Sequence, residues 1–100
     1  MNDLTGFQRD IIKAVATLDG QPHGTGIREF LEDAIGYTEV HNGRIYPNLE
    51  TLVEKGLLRK GHKDGRTSEY RLTRRGRREI EVYVNEWHEA AEAGDVEVIA

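Results

Sequence analysis

Asp64-Gly65 lies between two short β-prone runs, residues 57–63 and 66–72, and this dipeptide is preferred in a two-residue type I′ hairpin turn. Such a turn constrains the fold because it sets a register. It places Leu57 opposite Leu72, Arg59 opposite Tyr70, and Lys60 opposite Glu69 as an opposite-charge pair. The hairpin is preceded by Lys55-Gly56, a helix-stop signal, and followed by Thr73, a helix-start signal, so it is a ribbon between two helices.

Thr5 and Gln8 have capping-box spacing and open a first helix that runs to about Leu18, with Phe7, Ile11, Ala14, Val15 and Leu18 on one stripe. Ile12 and Ala16 fall off that stripe and form a second apolar face. After the Gly- and Pro-containing segment 19–24, Thr25 caps a second helix that carries Ile27, Phe30, Leu31, Ala34 and Ile35 inward and stops at Gly36. Residues 37–40 are β-prone and predict a short connecting strand. A third helix opens at Asn42 or Gly43 and ends at Lys55, with Pro47 in or just past its opening turn. A fourth runs from Arg74 to about Ala93, before Gly94.

The order helix, helix, short strand, helix, hairpin, helix defines a mainly α fold with a small β-hairpin (α+β): a winged helix-turn-helix with one added C-terminal helix. One hundred residues suit a single domain. Within it, residues 1–73 form the helix-turn-helix and wing, 74–94 a dimerisation helix, and 95–100 a tail.

The charge is unevenly spread along this order. Residues 43–78 hold eleven of the fourteen Lys and Arg but four of the eighteen Asp and Glu, a net charge of +7 that leaves −11 for the rest. A localised basic segment in an acidic chain is the footprint of a phosphate-binding surface. Acidic surroundings with little Lys beside Arg also point to a halophilic protein kept soluble in a salty cytosol.

On the third helix, Arg44, Asn48, Thr51 and Lys55 are spaced four, three and four, and so form one polar flank beside the buried arc of Ile45, Leu49, Leu52 and Val53. Arg and Asn match guanine and adenine edges bidentately, Thr meets the thymine methyl, and Lys suits phosphate. His41 and Asn42, at the start of that helix, join Pro47 as further candidate DNA contacts. Lys63 and Arg66 bracket the hairpin tip, and Arg71 lies on its second strand, within reach of backbone or the minor groove. Arg74, Arg75, Arg77 and Arg78 crowd the first turns of the last helix, where cations oppose the helix dipole unless an anion is near.

Ile80, Tyr83, Val84, Trp87, Ala90 and Ala91 make an apolar stripe on the last helix. With Ile12 and Ala16 of the first helix it predicts a two-fold homodimer, its interface formed by Ile12, Ala16, Ile80, Tyr83, Val84, Trp87 and Ala91.

The chain has no cysteine, so disulfides, thiolate catalysis and Cys-based zinc frameworks are excluded. Its four histidines lack metal-ligand spacing, and no triad, phosphate loop or acid pair assembles. No enzyme activity, metal or cofactor is expected. The N-terminus has no signal-like segment, and the chain has no membrane-length apolar run, which predicts a cytoplasmic protein.

The runs Gly43-Arg44-Ile45-Tyr46-Pro47-Asn48-Leu49, Lys55-Gly56-Leu57-Leu58 and Glu69-Tyr70-Arg71-Leu72-Thr73-Arg74-Arg75-Gly76 resemble the helix-3 and wing signature of PadR-like winged-helix transcriptional regulators, with the short haloarchaeal members nearest. The resemblance spans roughly residues 7–76. It implies a homodimeric regulator of double-stranded DNA, usually a repressor, whose C-terminal helix contributes to the dimer. Tyr46 and Leu49 then correspond to the framework of the reading helix, Arg44, Pro47 and Asn48 to its DNA-facing side, and residues 63–68 to the wing. The chain departs from larger members in having one C-terminal helix where they carry a multi-helix effector and dimerisation domain. The alternative is a winged-helix protein-interaction module, which gains little from a +7 segment around its third helix and wing.

Overall fold

The computed structural model describes residues 3–18, 20, 22–62 and 67–94. Its order is α1 (Gly6–Thr17), α2 (Gly24–Phe30) continued by a π turn (Leu31–Ile35), α3 (Asn42–Glu54), β1 (Leu58–His62), β2 (Ser68–Leu72) and α4 (Arg74–Ala93). This is the expected winged helix-turn-helix, with a two-stranded antiparallel wing and a fourth helix.

Capping chemistry sets most of the helix ends. Thr5 Oγ1 accepts from Gln8 N at 3.1 Å and Gln8 Oε1 accepts from Thr5 N at 3.1 Å, which closes the capping box of α1. Gly56, at φ 75°, ends α3, and Thr73 Oγ1 accepts from Gly76 N at 2.9 Å to start α4. Ile11, Ile12, Ile27, Leu31, Ile45, Leu49 and Leu52 are fully buried where α1, α2 and α3 meet, with Leu58 and Tyr70 closing the core from the hairpin.

Four local expectations are corrected. Residues 37–40 form no strand; instead His23 bridges Glu69, with Tyr70 N donating to Pro22 O at 2.9 Å, so the α1–α2 connection flanks the wing. The cap of α2 is His23 rather than Thr25. Its last turn widens, with Leu31 O accepting from both Gly36 N and Tyr37 N at 3.0 Å, and leaves Ala34 exposed rather than inward.

The fourth correction is the hairpin register, which slips by one residue. Leu58 pairs with Leu72, Arg59 with Arg71, and Lys60 with Tyr70. A one-residue slip turns every side chain to the other face, and the register that buries Leu58 and Tyr70 together outweighs the local preference of a two-residue turn. Asp64-Gly65 itself lies outside the described residues. Lys60 therefore does not face Glu69; its Nζ reaches Glu50 on α3 at 2.8 Å, and that bond raises the lysine pKa.

A candidate nucleic-acid interface

The polar flank of α3 turns toward the N-terminal turn of α1. The Arg44 guanidinium stacks over Phe7, 3.9 Å from the ring centroid, and lies 5.4 Å from that of Tyr37. Asn48, half-buried, accepts at Oδ1 from Gln8 Nε2 at 3.0 Å and donates from Nδ2 to Arg44 O at 2.7 Å. Lys55 Nζ meets Asp3 at 2.8 Å, and this holds the Asp3 carboxyl below its usual pKa. Thr51 donates its hydroxyl to Pro47 O at 3.0 Å. Three of the four stripe residues are thus engaged by residues 3–8.

At the barer N-terminal end of α3, His41, Asn42, Arg44, Tyr46 and Pro47 are exposed. Asn42 Oδ1 accepts from Arg28 at 3.0 Å, and His41 lies 3.9 Å from Glu39. On the hairpin, Arg71 is exposed directly opposite exposed Arg59, a like-charge pair that costs stability in isolation, although Glu69 is two residues from Arg71 on the same strand face. Arg74, Arg75, Arg77 and Arg78 are exposed in the first turns of α4. Arg77 meets Glu81 at 3.6 Å, while Arg75 turns into a polar cleft with Asp3, Glu54 and Lys55. Lys63 and Arg66 lie outside the described residues.

The dimer candidates divide. Ile12 is fully buried in the protomer's own core and has no surface for a partner, so the second apolar face of α1 reduces to Ala16. Ile80 and Tyr83 are half-buried against the core, with Arg9 over the Tyr83 ring at 5.5 Å. Farther along α4, Val84 is 58% and Trp87 62% exposed, and Ala91 is exposed. Val82, exposed at 42%, was not among the expected residues. Tyr83 and Trp87 meet edge to face at 6.1 Å.

Phe7, Gln8 and Tyr37 were missed as partners of the stripe. A closed capping box uses only the oxygen of Gln8, so its amide hydrogens had to find an acceptor elsewhere, and that was the available signal. Tyr37 donates to Asp10 at 2.6 Å; burial, then that bond, raises its pKa above 10.0, and burial raises that of Tyr70 likewise. The folded state therefore keeps phenol protons that the unfolded chain releases. This stabilisation is complete below pH ~10 and is lost as pH rises through the raised pKa values. Thermal unfolding between about pH 9 and 11 should fall less steeply in Tyr37→Phe than in the parent, and an equal slope would contradict the assignment.

Among the described residues no group of acidic and histidine side chains is placed to hold a metal, and no helix is long and apolar enough to cross a membrane.

The chain is a helix-turn-helix followed by a wing and a C-terminal helix, and residues 14–82 match the model of the Transcriptional regulator PadR-like family. The chain belongs to that family. RosR of H. salinarum, solved in a complex designated RosR-S1, is 39% identical, with TM-score 0.78 over 94% of this chain and 80% of that one. PadR of Bacillus subtilis, solved in complex with operator DNA, is similar in fold, with 17% identity and TM-score 0.64 over 95% of this chain and 52% of that one. A PadR family regulator from Eggerthella lenta has 21% identity and TM-score 0.66 over 86% of this chain and 80% of that one. No curated protein sequence matches.

Proposed function

We propose that the protein is a sequence-specific double-stranded DNA-binding transcriptional regulator, a repressor acting as a homodimer in the cytoplasm. The observation that carries this reading is the concentration of exposed arginine on the wing strands and the start of α4, the elements that follow α3, in an otherwise acidic chain. Opposed Arg59 and Arg71, and guanidiniums at the positive end of a helix dipole, each cost stability that a phosphate would recover. The operator complex of B. subtilis PadR, a protein of the same fold, supports duplex DNA as the anion.

In this reading α3 enters the major groove, with His41, Asn42, Arg44, Pro47, Asn48 and Thr51 facing bases. The wing tip with Lys63 and Arg66 grips the backbone or minor groove, aided by Lys55, Arg71 and the α4 arginines. Arg44 must leave its aromatic rings to reach a base. An exposed cation–π contact is worth about 0.5–1 kcal/mol, whereas a bidentate guanine contact discriminates by about 1–3 kcal/mol, so the exchange favours the base. The acidic remainder repels phosphate, and high salt screens that repulsion, so affinity falls less steeply with salt than the cation count suggests.

Arg44→Ala should lose about 1–3 kcal/mol on a cognate duplex and relax base preference. Lys63→Ala or Arg66→Ala should weaken all sequences alike and lower the salt slope by about one unit per lost contact. An unchanged ratio of cognate to random binding in Arg44→Ala would remove Arg44 as a reading residue. Absence of salt-sensitive duplex binding in the parent would remove the function.

A further inference from the structure

The bond between Gln8 and Asn48 belongs to a chain of four groups whose two ends have fixed polarity. It begins at the Thr5 backbone N–H, which can only donate, and ends at the Arg44 backbone carbonyl, which can only accept. Between them, Gln8 accepts with Oε1 and donates with Nε2, and Asn48 accepts with Oδ1 and donates with Nδ2. Rotating either amide by half a turn would set donor against donor or acceptor against acceptor, so both orientations are determined. Gln8 is 8% exposed, so an unmade bond there would not be repaired freely by water.

We infer that Gln8 is a positioning residue for DNA readout: its Nε2 donor, acting with the Arg44 carbonyl, fixes which face of the Asn48 carboxamide is turned to a base edge. This rests on the proposed DNA-binding function and deepens it. With one amide hydrogen on Arg44 O and one Oδ1 lone pair on Gln8, Asn48 keeps one hydrogen and one lone pair. That remaining pair is the set that matches adenine N7 and N6. If Asn48 were free to rotate, its donor and acceptor would interchange and it would no longer prefer one edge. α1, which lies outside the reading helix, thereby determines part of the base code.

Two substitutions separate this role from the capping role of the same side chain. Gln8→Glu keeps the acceptor for Thr5 N and loses the donor to Asn48. Gln8→Lys keeps a donor for Asn48 and loses the cap. Selection from a random duplex library, with binding constants at several salt concentrations, is compared for the parent, both variants and Asn48→Ala. The added charges shift affinity for all sequences together and cancel in the base preference.

Gln8→Glu should lose discrimination on the order of tenfold at the base pair where Asn48→Ala loses it, while Gln8→Lys, although less stable to heat, keeps it. Preference retained in Gln8→Glu while Asn48→Ala loses it overturns the inference and leaves DNA reading by Asn48 intact. So does preference lost in Gln8→Lys as fully as in Gln8→Glu, which would make the effect one of α1 stability. Asn48→Ala without any change in preference overturns it as well. No salt-sensitive duplex binding by the parent is the distinct result that fails the DNA function itself.

Discussion

Gly76→Ala should lower the stability of the protomer by about 3 kcal/mol and its thermal midpoint by roughly 10–20 °C. In an ordinary helix interior the same change would raise stability by up to about 1 kcal/mol, because alanine is the better helix former. The sign reverses here because α4 docks through the position that lacks a side chain. A Cβ on Gly76 would overlap the backbone carbonyl oxygen of Leu57 and approach Leu72 Cδ1 to 2.8 Å. That carbonyl cannot easily move, since it accepts from Thr73 N at 3.2 Å and is 3.0 Å from Thr73 Oγ1, which also lies 2.6 Å from Gly56 O. The clash falls where the end of α3, the base of the hairpin and the cap of α4 are bonded together. Circular dichroism melting measures the effect, and an unchanged or raised midpoint would mean that α4 does not dock in this way.

Trp87→Glu should act oppositely, leaving the protomer's fold intact while dissociating the assembly. Trp87 is 62% exposed and meets the Tyr83 ring edge to face, so little intramolecular burial is lost. In the proposed dimer the substitution buries an unpaired carboxylate on each subunit at the interface. Sedimentation equilibrium should return the 11.4 kDa protomer. Affinity for a two-half-site duplex should drop by about 10² or more, because the second half-site no longer benefits from the first. A dimer that persists would place the interface elsewhere than on α4.

The helix ends set by side-chain caps or glycine were legible because capping is local chemistry: Thr5 with Gln8, Thr73, and Gly36 and Gly56 each act on backbone groups within a few residues, whereas the start of α2 at His23 has no side-chain cap to read. The hairpin was legible as a hairpin but not in its register. Its turn preference is a property of two residues, whereas the burial of Leu58 and Tyr70 is decided by α1, α2 and α3. The pairing of His23 with Glu69 is one bridge long and leaves no alternating pattern to read. Helical spacing placed Arg44, Asn48 and Lys55 on one flank of α3. It could not say that Asp3, Phe7 and Gln8 stand opposite them, since that depends on how α1 crosses α3. Ile12 looks surplus on the helical wheel for the same reason, being covered by packing that its own helix does not specify.

Whether this acidic chain reads duplex DNA is tested most directly by selection of bound duplexes from a random library by the parent protein at high salt. The predicted result is enrichment of a pseudo-palindrome whose half-sites lie about one helical turn, ~34–36 Å, apart, as a two-fold dimer with one reading helix per subunit requires. A bound pool no different from the input would contradict it.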